Sequence, residues 1–77
     1  MKVFVLFQVD KFDSDLTDIF LGVFSSKINA IEFAKKVAED DGFELSNMDV
    51  HMLINRNFTN NKITDFLISE EVIDGKL

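Results

Sequence analysis

Residues 19–41, IFLGVFSSKINAIEFAKKVAEDD, decide the fold. Ile19, Leu21 and Val23 alternate with Phe20, Gly22 and Phe24, which is the two-residue period of a strand. The strand runs into Ser25 and Ser26. A serine oxygen accepts from the free N–H groups of a first helical turn, so this pair predicts a helix start. From about Lys27 to Asp40 the period becomes helical. Ala30, Phe33, Ala34, Val37 and Ala38 share one stripe, with Ile31 at its edge. Glu32, Lys35, Lys36 and Glu39 lie opposite, and Glu32 and Lys36 are spaced for an i,i+4 ion pair. The alanines predict close contact with a sheet. Gly42 suits a left-handed helix cap, with Phe43 folding back onto the last turn.

Upstream, Lys2 to Asp10 (KVFVLFQVD) is β-branched and aromatic, and reads as a strand. Val3, Val5, Phe7 and Val9 share one face, and Phe4 and Leu6 the other. A strand apolar on both faces is expected at the centre of its sheet. Residues 11–18, KFDSDLTD, carry the Asp and Ser chemistry of a hairpin loop. Downstream, Met48, Val50, Met52 and Ile54 alternate with Asp49, His51, Leu53 and Asn55, which predicts a third strand. Thr59, Asn60 and Asn61 suit a turn, and Lys62 to Ser69 a fourth strand. The expectation is one α+β domain over residues 1–77. It is a two-layer ββαββ arrangement, a four-stranded antiparallel sheet with one helix packed on one face.

Charge and composition narrow the function. Eight basic residues face fourteen acidic ones, for a net charge of −6. Phosphate backbones demand clustered Lys and Arg, so no direct nucleic-acid contact is expected. There is no cysteine, hence no disulfide and no thiolate metal site. No run approaches the roughly 18 apolar residues of a membrane span, and no signal pattern is read at the start. These features predict a soluble cytoplasmic protein.

Catalytic constellations are sparse. His51 is the single histidine. Asp49 lies two positions away on the same strand face and can pair with it there, but a base or ligand needs further partners. Asp13-x-Asp15 resembles the opening of a calcium loop, yet the turn glycine and closing glutamate are missing. Ser14, Ser25, Ser26, Ser46 and Ser69 sit in no nucleophile elbow, and Gly22, Gly42 and Gly75 form no phosphate loop. No catalytic residue, cofactor or metal is therefore expected.

The apolar inventory is the informative signal. Nine phenylalanines exceed what one helix covers. The sheet face away from the helix is expected to carry Phe4, Leu6, Phe20, Phe24, Leu53 and Phe66, with Ile68 beside them. Monomers seldom expose such a patch. The expectation is a non-enzymatic interaction module, homodimeric through that face or docked there on another protein. The alternative cover is the tail, through Val72, Ile73 and Leu77.

Two segments also resemble small uncharacterised bacterial and phage domains. Val3-Phe4-Val5-Leu6 matches their VYVL-type first strand, and Gly22-Val23-Phe24-Ser25-Ser26 their G-V-[FY]-S-S junction, with an acidic hairpin between. The likeness covers about the first half of the chain and implies a fold rather than an activity. With the composition, it motivates a rival reading: an inhibitor from a phage or mobile element. Its acidic hairpin, Asp10, Asp13, Asp15 and Asp18, would occupy a basic, nucleic-acid-binding surface of a host defence protein.

Overall fold

The expected strand at Met48–Asn55 is a helix. In the computed structural model, which describes residues 1–10, 18–59 and 64–73, the order is β1 (Lys2–Asp10), β2 (Asp18–Phe24), α1 (Lys27–Asp40), α2 (Asn47–Arg56) and β3 (Thr64–Val72). Among the described residues the sheet has three antiparallel strands in the order β2-β1-β3. The four-stranded, one-helix ββαββ arrangement is thus corrected to ββααβ, still α+β.

The physical reason lies in the segment's two ends. Ser46 Oγ accepts from the Asp49 N–H at 3.1 Å, while Asp49 Oδ2 accepts from the Ser46 N–H at 3.1 Å and from its hydroxyl at 3.0 Å. This reciprocal capping box satisfies donors that open a helix. Asn57 closes it in the left-handed region, φ 66°, a conformation Asn tolerates better than most residues. Between these ends, Val50 and Leu53 are three apart and meet the core on one helical face. A strand would have sent Leu53 outward with Asp49, His51 and Asn55.

The helix α1 follows the sequence expectation closely. Its N-cap is Ser26, whose Oγ accepts from the Asn29 N–H at 3.2 Å. Its buried residues are Ala30, Ile31, Ala34 and Ala38. Gly42 takes φ 89°, the Gly42 N–H donates to Glu39 O, and the Phe43 N–H donates to Ala38 O, each at 3.0 Å. Those two bonds form a Schellman cap, with Phe43 packed against the core.

One core joins the layers. Leu6 of β1 and Phe66 and Ile68 of β3 meet Ala30, Ala34 and Ala38 of α1 and Leu53 of α2. In the β1–β2 ladder the register shifts between Leu6 and Phe7, so Leu21 is the extra residue of a bulge. Leu21 also packs on the core, beside Gly22. Polar groups tie the rim of this side. Gln8 Nε2 donates to Asp41 Oδ2 at 2.9 Å. Lys27 Nζ reaches Ile54 O at 3.0 Å and Glu70 at 3.2 Å, and Lys2 reaches Glu70 at 3.0 Å. Hydrogen bonds from Lys2 and then Lys27 hold the Glu70 carboxyl below its ordinary value.

Candidate protein-interaction surface

Register assigns each strand residue to a face, because directly opposed residues point the same way and neighbours alternate. Leu6 and its partner Ile68 face the helices, as do Gln8 and Phe66. Val3, Val5, Phe7 and Val9 therefore line the opposite face. Val23, paired with Val5, and Phe20, paired with Phe7, extend it across β2. Leu67, also paired with Phe7, extends it across β3. The Phe7 and Phe20 rings meet edge to face at 6.1 Å. No described helix packs on this side.

Exposure on the open face is uneven. Val3 is buried, and Val5, Phe7, Val9 and Leu67 are half-buried. Phe20 is 60% exposed and Val23 54%, whereas Ile19, paired with Gln8, points to the helix side. The apolar surface thus opens toward β2. On the β3 side Ser69 Oγ donates to Glu71 at 2.7 Å and Thr59 Oγ1 donates to Asp65 at 3.1 Å, and the exposed Phe58 is bridged to Leu67. Spacing of about 4.8 Å between strands and a rise of about 3.3 Å per residue give the apolar region about 300 Å² in projection. Patches of that size on monomers are often functional.

Most residues expected on this surface lie elsewhere. Leu6, Leu53 and Phe66 are 0% exposed, in the core between sheet and helices. Phe4 and Phe24 pack against that core, and the Phe24 ring sits 5.4 Å from that of Phe33 on α1. Ile68 is buried there too. Of the expected set, Phe20 alone is on the open face. The residues that replace the others, Val3, Val5, Phe7 and Val9, carry a readable signal. Their side of β1 is uniformly apolar, whereas the Phe4–Leu6 side also holds Lys2 and Gln8. Those two polar residues bond at the sheet's margin, Lys2 to Glu70 of β3 and Gln8 to Asp41 at the end of α1.

The tail reading is answered in part. Val72 is 78% and Ile73 47% exposed, and Leu77 lies outside the described residues. Of the acidic hairpin, Asp10 and Asp18 end β1 and begin β2, while Asp13 and Asp15 lie outside the described residues.

Other chemistry stays dispersed. His51 is exposed on α2, in a shallow depression with Met48, Met52, Asn55 and Arg56. The pairing of His51 with Asp49 that a shared strand face would allow is absent, because residues two apart on a helix do not face each other. Ser26 and Ser46 are helix caps. Among the described residues, no three of His, Asp and Glu converge as metal ligands. A second apolar groove, lined by Ile28, Ile31, Val50 and Ile54, runs between the helices. No described helix is long and apolar enough to cross a membrane. Comparison of the chain with family models, with curated proteins and with solved structures gave no match.

Proposed function

We propose that this chain is a small acidic, non-enzymatic protein-interaction module of the cytoplasm, whose first partner is a second copy of itself. The contact uses the sheet surface that the helices leave open. One observation carries this reading: the uniformly apolar side of the central strand β1 is the side without a helix on it. A solitary domain gains most by turning its most apolar strand face inward, since burial returns roughly 25 cal/mol per Å². The opposite arrangement is what an interacting surface requires. The exposed ring of Phe20 and the Val23 side chain add to the support, because exposed aromatics are frequent anchors of protein contacts.

The net charge of −6 gives the association a distinct salt response. Two acidic chains repel one another at long range, so added salt strengthens or leaves unchanged an apolar self-contact. The test is molar mass by light scattering over a concentration series, at low and high salt. The expected result is a mass that rises toward twice that of one chain, without loss at high salt. Phe20→Asp is expected to hold the mass at one chain. A single-chain mass for the unsubstituted protein at every concentration overturns the reading.

A further inference from the structure

We propose that the second copy is joined through the free edge of β2, so that two three-stranded sheets become one continuous sheet. This rests on the self-association proposed above and places its contact at the β2 margin of the open face rather than over the centre of that face.

The phase of the hydrogen-bond ladder is the starting observation. Met1 and Ile73 exchange both backbone bonds, at 2.7 and 2.6 Å. Bonded and non-bonded pairs alternate along an antiparallel ladder. Val3, Val5 and Phe7 therefore turn their backbone groups toward β3, and Phe4, Leu6 and Gln8 turn theirs toward β2. The outer side of β3 agrees with this phase. The Ile68 N–H points away from β1 and donates to Asn57 O at 2.7 Å, and Phe66 O accepts from the Thr59 N–H at 3.0 Å. On β2, Phe24, Gly22 and Ile19 oppose Phe4, Leu6 and Gln8, so they face β1. The N–H and C=O groups of Phe20 and Val23 then point off the sheet. Among the described residues, no strand lies beyond β2.

Over residues 19–24 the same strand lacks the usual protection of an edge, and Asp18 at its start is its one charge. Edges are commonly blunted by Lys, Pro or inward charges. Residues 19–24, IFLGVF, contain none of these. The bulge at Leu21 is the one device within residues 19–24, and it leaves the ladder usable. Phe20 and Val23 sit opposite Phe7 and Val5, two residues apart on β1, which is roughly 7 Å along the strand. That is the spacing at which an added strand presents its own bonded pairs.

Closure and side-chain pairing select a second copy as the occupant, against the long-range repulsion of two acidic chains. Two chains of net charge −6 meet most easily on charge-free ground, and residues 19–24 provide it. Antiparallel two-fold pairing sets Phe20 of one copy against Val23 of the other, and the reverse, an aromatic with a β-branched partner in both. The contact is isologous and closed. The other edge, β3, is already engaged over Phe66 and Ile68 by the Asn57–Thr59 segment. A foreign strand would instead bring a free edge of its own. Edge pairing also covers Phe20 and Val23, the two most exposed apolar residues of the open face, while leaving its centre accessible.

The test reads amide hydrogen exchange at Phe20 and Val23 beside the molar mass, over one concentration series of the full chain. The expected result is a doubled mass with exchange at these two amides slowed about tenfold or more as the dimer fills. A doubled mass with unchanged exchange at both amides overturns edge pairing and leaves self-association through another part of the surface. A single-chain mass throughout overturns both. Val23→Pro removes one outward donor at a position where an edge strand tolerates proline, and is expected to give a folded monomer, whereas Val23→Ile remains a dimer. If Val23→Pro does not fold, the exchange measurement on the unsubstituted chain decides.

Discussion

Ser46→Ala is the sharpest probe of the helix that replaces an expected strand. The substitution removes the acceptor of the Asp49 N–H and the hydroxyl that donates to Asp49 Oδ2, leaving the Ser46 N–H bond to that carboxylate. Loss of such a cap costs about 1 kcal/mol. For a domain of this length that lowers Tm by about 4–8 °C. Asp49→Ala removes the other half of the box, together with a negative charge in the first turn worth about 0.3–1 kcal/mol. Because the two side chains share their bonds, the double variant should lose less than the sum, with a coupling of at least about 0.5 kcal/mol. The assay is urea unfolding of the four chains of the cycle, with an unchanged m-value as the check that only stability has moved. Two further serines calibrate it. Ser26→Ala removes the cap of α1 and should cost about 1 kcal/mol. Ser25 is exposed and caps nothing, so Ser25→Ala should stay within about 0.5 kcal/mol. If Ser46→Ala and Asp49→Ala each change stability by less than about 0.3 kcal/mol and simply add, Ser46 caps no helix and the assignment of α2 is wrong.

Leu53→Ala should cost about 2–5 kcal/mol, the range for truncating a fully buried leucine, while His51→Ala on the outer side of α2 stays within about 0.5 kcal/mol. Equal effects in chemical denaturation would mean that the helix is turned the other way. The left-handed conformation at Asn57 makes Asn57→Ala less stable than Asn57→Gly by about 1 kcal/mol, since only the alanine brings a Cβ into that region. A difference of zero in thermal unfolding would exclude the positive φ. Glu70 supplies a pH signature. Its folded-state pKa is depressed by Lys2 and Lys27, so its stabilisation is fully present above its unfolded value of about 4.5 and is lost as pH falls through the folded value. Tm profiles of the native chain and Glu70→Gln should therefore differ near neutrality and converge in acid. Parallel profiles would show that the two lysines do not hold the carboxylate.

The first half of the fold was legible because its signals are local and agree with one another. In residues 2–42 the strand periods, the serine cap, the alanine stripe and Gly42 each point to one structure. The α2 segment carried two conflicting patterns. Its apolar residues alternate from Met48 to Ile54, yet Ser46 and Asp49 spell a capping box, and Val50 and Ile54 are the only β-branched residues between Asn47 and Arg56. Alternation over so short a run cannot be told from one side of a helix, and the end signals decide. The faces of β1 were harder. Both are apolar, so periodicity establishes two sets of residues without saying which is buried. Lys2 and Gln8 lie on the helix side of β1, where they bond to the exposed Glu70 of β3 and to Asp41 at the end of α1. Polar side chains at the ends of a strand report what lies at the sheet's margin rather than which face is wet. The choice of face moved Phe4, Leu6, Phe24 and Phe66 from the expected interface into the core or against it and left Phe20 outside, while Leu53 moved there because its segment is a helix.

The strand order carries a consequence for synthesis. β1 sits between a neighbour made immediately after it and one made only after both helices. As the chain emerges from its N-terminus, the β1–β2 hairpin and α1 form before β3 exists. During that interval the backbone groups of Val3, Val5 and Phe7 have no β3 to receive them. The run Val3–Phe7, VFVLF, has the uncharged β-branched and aromatic character that seeds intermolecular strands. The newborn chain is therefore most vulnerable on the side that the finished protein covers best. A chain truncated before β3 should accumulate as insoluble material.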